Sequence, residues 1–237
     1  MINTDYADKA AFSPPCFHDH VALLAVEPYL AGSFVITLRI FAETMTNAVL
    51  ARCTGTYGHS QRVGVLSYTA ALGLGLDRKQ ADYYYIAGLL HDIGKIGLSD
   101  ALLEKMLRQE CFSYAESLDV REHCRLGAQM IEPISRRMNT LDRLDLIIMH
   151  HHEFYDGSGY PSGIKGVRIP LGARIIGCAD ALASRIEQRC SLDEALSGLS
   201  KESQEKHDPY VALAIQKYVA KADVCLKEIR NQQNHAF

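Results

Sequence analysis

The sequence predicts an all-α fold. Apolar residues recur at helical spacing from about residue 33 to residue 230, strand-like alternation is scarce, and glycines or serines interrupt the helical runs. Residues 1–20, with Pro14-Pro15 and few periodic apolar positions, read as a loose tail. Residues 1–32 as a whole read as a short regulatory or dimer-contact segment ahead of one domain over 33–237. His59, Val63, Leu66 and Ala70 fall at i, i+4, i+7 and i+11 and mark one helix face, which Gly73 and Gly75 bring to an end. Tyr83, Tyr84 and Tyr85 read as core and rim of the next helix, which runs to Gly94. Val120, His123, Cys124, Gly127 and Ile131 mark a third face, closed by Ser135, and Leu144, Ile147, Ile148 and His151 a fourth. The polar, Gly-rich stretch over 155–172 is the one sizeable loop. No repeat or low-complexity tract interrupts this pattern.

With 237 residues, 48% of them hydrophobic, the chain can bury a substantial core, which argues against disorder. Its 25 Lys+Arg against 28 Asp+Glu leave a net charge of −3. That is no footprint for a DNA binder that neutralises phosphates, although a local cluster still suits a small anionic ligand. The 7 cysteines are odd in number, scattered and without a CxxC pair, so they read as reduced thiols that pack the interior. Asp5, Asp8 and Lys9 stand where a signal peptide would be basic and then apolar. Glu27-Pro28 interrupts residues 21–38, the nearest approach to a membrane span. The expectation is a cytoplasmic chain with no membrane segment.

The apolar faces carry histidines. His59, His123 and His151 stand where Leu or Ile would be expected. One such residue is commonly a satisfied core histidine. Three on three helices, beside His91-Asp92 on a fourth, leave inward nitrogens that a shared metal would satisfy. Neighbours on a helix point about 100° apart, so His91 and Asp92 can face one site only near a helix end. Gly94 supplies that end.

The motifs occur in a fixed order. Gly58-His59-Ser60-Gln61-Arg62-Val63 precedes Leu90-His91-Asp92-Ile93-Gly94-Lys95-Ile96-Gly97. His123 with Gly127-Ala128, His151-His152-Glu153 and Asp156-Gly157-Ser158-Gly159-Tyr160-Pro161 follow, then Ile169 through Ile176 running to Ala179-Asp180. Over roughly residues 42–218 the chain resembles the HD-GYP phosphodiesterases, a bacterial branch of the HD metallohydrolases. The resemblance implies His59, His91, Asp92, His123, His151, His152 and Asp180 as metal ligands, with none missing. Asp92 would bridge two ions. His59, His91 and Asp180 would hold one of them, and His123, His151 and His152 the other. A set of N and O donors without thiolate suits two divalent ions, Fe or Mn foremost, with Zn or Ni admitted by ligand type. Some relatives bind a third metal through a Glu one turn before the first histidine; Gly55 stands there, which favours two.

Two cations about 3.5–4 Å apart lower the pKa of a shared water and neutralise a phosphodiester as charge builds. The catalytic residues implied are Asp92, acting through the metals, and Lys95, one turn on. Lys95 reads as a contact to a phosphate oxygen rather than a solvated lysine at a helix end. Tyr160, Arg185 and Arg189 complete the expected substrate contacts, and residues 155–172 are expected to form a partial lid and partner surface. His18 and His20 read as solvated tail, His150 as adjacent to the centre, Glu153 as orienting a ligand imidazole, Asp156 as a turn residue and Arg62 as an ion-pair partner. Two departures stand out. Past Asp180 the family's Arg-Pro-Tyr-Arg-like stretch is shortened by about a turn and a half, and Lys105-Met106 replaces a Lys-Pro turn.

The activity so implied is hydrolysis of cyclic di-GMP to pGpG and onward to GMP. A second reading changes the substrate to 3′3′-cGAMP or another nucleotide ester. A third, of another class, is a non-catalytic module whose Gly-Tyr-Pro loop binds diguanylate cyclase (GGDEF) domains. The intact donor set favours catalysis, since a scaffold needs none of it. A homodimer is compatible with all three.

Overall fold

The computed structural model describes residues 33–53, 56–138, 142–188, 190–203 and 205–219. The segment 1–32 with His18 and His20, together with Gly55 and Arg189, lies outside the described residues. Helices follow one another as α1 (Ser33–Arg52), α2 (Thr56–Gly73), α3 (Arg78–Leu90), a 3-10 turn (Ile93–Gly97), α4 (Asp100–Leu107), α5 (Tyr114–Ser135), α6 (Leu144–His150), a second 3-10 turn (Gly166–Arg168), α7 (Leu171–Glu187) and α8 (Leu192–Lys201). A further helical run covers 209–219. Among the described residues the only extended pairing is a single bridge between Ser203 and His207. The fold is all-α, as the periodicity predicts.

Local chemistry starts several of these helices. Asp77, Ser99, Ser113 and Ser191 each accept a hydrogen bond from the backbone N–H three residues on. Asp77, Ser113 and Ser191 complete capping boxes with Gln80, Glu116 and Glu194, so two otherwise unpaired donors are satisfied at each helix start.

Packing then sets the frame around the histidines. α2 and α3 form the most extensive helix pair, α5 lies on α6, and α7 packs on α2. Val63 and Leu66 of α2, Ile86 and Leu90 of α3, Ile131 of α5, Ile147 and Ile148 of α6, and Ile175 and Leu182 of α7 are buried. Each such side chain stabilises the fold by about 1.5–3 kcal/mol. α2 and α3 meet glycine to glycine: a Cβ on Gly88 would sit 2.6 Å from the Gly64 Cα. This approach lets His59 and His91, one on each side of the contact, share a site. Past α3, the Arg52 guanidinium holds the first 3-10 turn, donating to the carbonyls of Ile96 and Leu98 and pairing with Asp100.

The stretch 155–172 is pinned at its start and interrupted by the second 3-10 turn. The amides of Tyr155 and Asp156 donate to the carbonyls of Lys206 (3.1 Å) and Glu205 (2.7 Å). Among the described residues no helix is long and apolar enough to cross a membrane.

Candidate metal centre

Five chain segments bring imidazoles and carboxylates to one place. His59 comes from α2, His91 and Asp92 from the end of α3, His123 from α5, His151 and His152 from the residues following α6, and Asp180 from α7. The ring centroids of His59 and His91 lie 5.4 Å apart, His91 and His151 5.3 Å, His123 and His151 5.4 Å, and His123 and His152 5.1 Å. Glycines permit these approaches. A Cβ on Gly94 would fall 1.8 Å from the His123 carbonyl oxygen, and one on Gly177 would fall 2.8 Å from that of His151.

Donor atoms within 4.8 Å of one another form three groups: His59, His91 and Asp180; His123, Cys124, His151 and His152; and His91, Asp92 and His151. Asp92 lies between the histidines, with Oδ2 3.3 Å from His91 Nε2 and Oδ1 3.5 Å from His123 Nε2. On the other side, His59 Nε2 is 3.0 Å from Asp180 Oδ1.

The histidine tautomers follow from the backbone. Nδ1 of His91, His123 and His151 faces the carbonyl three residues earlier, at 2.8, 2.6 and 2.7 Å respectively. A carbonyl only accepts, so each Nδ1 donates and each Nε2 presents a lone pair inward. The Nε2 atoms of His91 and His151 are buried without a hydrogen-bond partner. For His91 and His123 that lone pair faces a carboxylate oxygen, an arrangement of two acceptors that a cation resolves. The residues present therefore fit a metal.

The electrostatics agree. Burial, followed by the neighbouring imidazole of His152, holds His151 well below the usual histidine range. Burial likewise lowers His152, to about 4, so both rings stay neutral and can coordinate. Burial would raise Asp92, but the ammonium of Lys95 outweighs it and keeps the carboxylate ionised. Lys95, hydrogen-bonded to Asp92 Oδ2, is raised despite its own burial. Burial would lower His59, yet the carboxylates of Asp180 and Glu187 lift it to about 10, so this ring, unlike His151 and His152, must release a proton before it can coordinate.

Other sequence-marked residues fall around this centre. Tyr160 stacks on His152 with centroids 4.9 Å apart, and the Arg121 guanidinium lies 4.7 Å from the Tyr160 ring centre. A cavity of about 350 Å³ opens beside His151, His152 and Asp180 and is lined further out by Arg185, Lys206 and His207. The Arg185 guanidinium is paired with Glu202 at 2.8 Å. Asp156 accepts from the amide and hydroxyl of Ser158 in a turn, and Arg62 pairs with Glu187, both as read from sequence.

Glu153 departs from its expected part. Its Oε1 accepts from the Ser162 amide (2.7 Å) and lies 3.4 Å from Nδ1 of His150, so it braces the following loop instead of a ligand imidazole. Two residues were missed. Glu187 sits 3.1 Å from His59 Nδ1, across 128 positions that no local pattern connects. Cys124, read as packing, has its sulfur 3.5 Å from His123 Nε2.

A family model described as the HD domain matches residues 43–211. The chain belongs to the HD-domain family. Among curated relatives, this HD-domain chain is 31% identical over 170 residues to the cyclic di-GMP phosphodiesterase response regulator RpfG of Xanthomonas campestris, covering 70% of the chain and 44% of RpfG. It is 34% identical over 144 residues to 3′3′-cGAMP-specific phosphodiesterase 2 of Vibrio cholerae, covering 61% of the chain and 27% of that protein. It thus spans less than half the length of these relatives. Among solved structures, Bd1817, a HDG"Y"P protein from Bdellovibrio bacteriovorus, matches with a TM-score of 0.56 at 19% identity, over 84% of this chain and 67% of that one. That likeness shows the shared fold.

Proposed function

We propose that this HD-domain chain is a metal-dependent phosphodiesterase that opens cyclic di-GMP to pGpG, with further cleavage to GMP. The observation that carries the reading is Asp92, facing His91 with one oxygen and His123 with the other, between the two flanking groups of donors. His59, His91 and Asp180 would hold one divalent ion, His123, His151 and His152 the other, and Asp92 would bridge them. When bound, two such ions supply an activated water and neutralise charge on the phosphodiester oxygens.

The chain's own groups prepare for that chemistry. Backbone carbonyls keep three imidazoles in the tautomer that coordinates. Lys95 stays protonated beside Asp92 and can donate to a non-bridging phosphate oxygen or to the departing ribose oxygen. Arg185 and Lys206 line the cavity beside the centre, both ion-paired with Glu202, and would have to exchange that carboxylate for a second phosphate of a cyclic dinucleotide. Tyr160, held against His152, closes one edge of the site and would limit water there.

Relatives named for cyclic di-GMP and for 3′3′-cGAMP match at similar identity, so 3′3′-cGAMP is the second substrate to test. Protein purified without oxygen should contain two transition-metal ions per chain, Fe or Mn foremost, and convert a cyclic dinucleotide to a linear product on chromatography. Asp92→Asn should lose metal and slow turnover at least 100-fold. Metal-free, inactive wild-type protein would defeat the reading and favour a module that binds diguanylate cyclase domains.

A further inference from the structure

We propose that Cys124 supplies a thiolate to the ion held by His123, His151 and His152, which makes that half of the centre a mixed nitrogen–sulfur site. The inference rests on the metal reading above and adds a donor to it. Cys124 has no exposed surface and follows His123 on the inward face of α5. Its sulfur and the donor atoms of His123, His151 and His152 all lie within 4.8 Å of one another. The His151 Nε2 in that group is buried and unpartnered.

The spacing matches the bonding. Bonds of about 2.0–2.1 Å to imidazole and about 2.3 Å to thiolate, at the cis angle of about 90–110° left by an ion that His151, His152 and Asp92 also hold, separate the two donors by about 3.1–3.5 Å. Cys124 Sγ lies 3.5 Å from His123 Nε2. Without a metal the Cys124 thiol lies within hydrogen-bonding distance of His123 Nε2, so its sulfur already points at a ligand atom. On binding, the S–H bond breaks as the sulfur–metal bond forms, and the proton leaves to solvent.

The two halves of the centre then differ in softness. His59, His91 and Asp180 offer only N and O, while the Cys124 half favours Zn or Co(II) over Mn.

Loading the full chain with Co(II) alone tests the proposal. Wild-type protein should show a sulfur-to-cobalt charge-transfer band in the near ultraviolet and, by X-ray absorption, a sulfur shell at about 2.3 Å. Cys124→Ser should lose both while still binding cobalt, whereas Cys111→Ser and Cys178→Ser should keep them. If Cys124 variants fail to fold, the wild-type sulfur shell and charge-transfer band decide the question. Cobalt bound through N and O only, or a band that survives Cys124→Ser, overturns the thiolate and leaves the metal reading intact. No cobalt uptake at all overturns both.

Discussion

His91, His123 and His151 each spend one ring nitrogen on a carbonyl of their own chain segment, which aims the other at the centre. His59 is held differently, with Nε2 toward Asp180 and Nδ1 toward Glu187, whose carboxylate also pairs with Arg62. Glu187 therefore orients the His59 ring from outside the donor cluster. Glu187→Gln is expected to weaken metal affinity about 10–100-fold while leaving turnover near normal at saturating metal. A competition titration against a chelator measures the first effect and a metal-saturated assay the second.

The 3-10 turn after α3 and the middle of α5 touch backbone to backbone, because Gly94 has no side chain to keep them apart. Gly94→Ala would force its Cβ into the His123 carbonyl and the Gly127 amide, 1.8 and 2.5 Å away. We expect a loss of about 3 kcal/mol or more in denaturant unfolding, with reduced metal content. Gly75, at φ 82° with nothing within 4 Å of a built Cβ, is the contrast: Gly75→Ala should cost only about 1–2 kcal/mol and leave the metals in place.

The start of α6, which delivers His151 and His152, depends on Asp145. Its carboxylate accepts from Ser135 Oγ and from Arg143. Burial alone would raise this group, but those bonds outweigh it and hold the carboxyl below the usual aspartate range. A depressed folded-state pKa stabilises the fold above the ordinary aspartate value of about 4, and that contribution is lost as pH falls through the folded value. Asp145→Asn should therefore cost about 1–2 kcal/mol at pH 7 and converge on wild type in acid. Urea melts across pH check the sign.

In the molecule as a whole, the two proposed ions would join five segments and tie the bundle together, so their removal should be visible far from the site. Chelation is expected to lower Tm, by the equivalent of about 3–4 kcal/mol for each ion removed if working metal stands at 100–1,000 times Kd. Scanning calorimetry with and without chelator measures it. Much of this arrangement is legible in the chain: the 3.6-residue period marks the buried faces, so inward histidines at 59, 123 and 151 stand out, and Gly94 announces the helix end that lets His91 and Asp92 turn to one place. Periodicity says which face is buried and nothing about which atoms meet across it. Glu187 on His59, Cys124 beside His123, Glu153 turned to Ser162 and Arg185 paired with Glu202 are decided by how closely helices approach, and the glycine contacts between α2 and α3 and around His123 set that approach only once the whole bundle has packed.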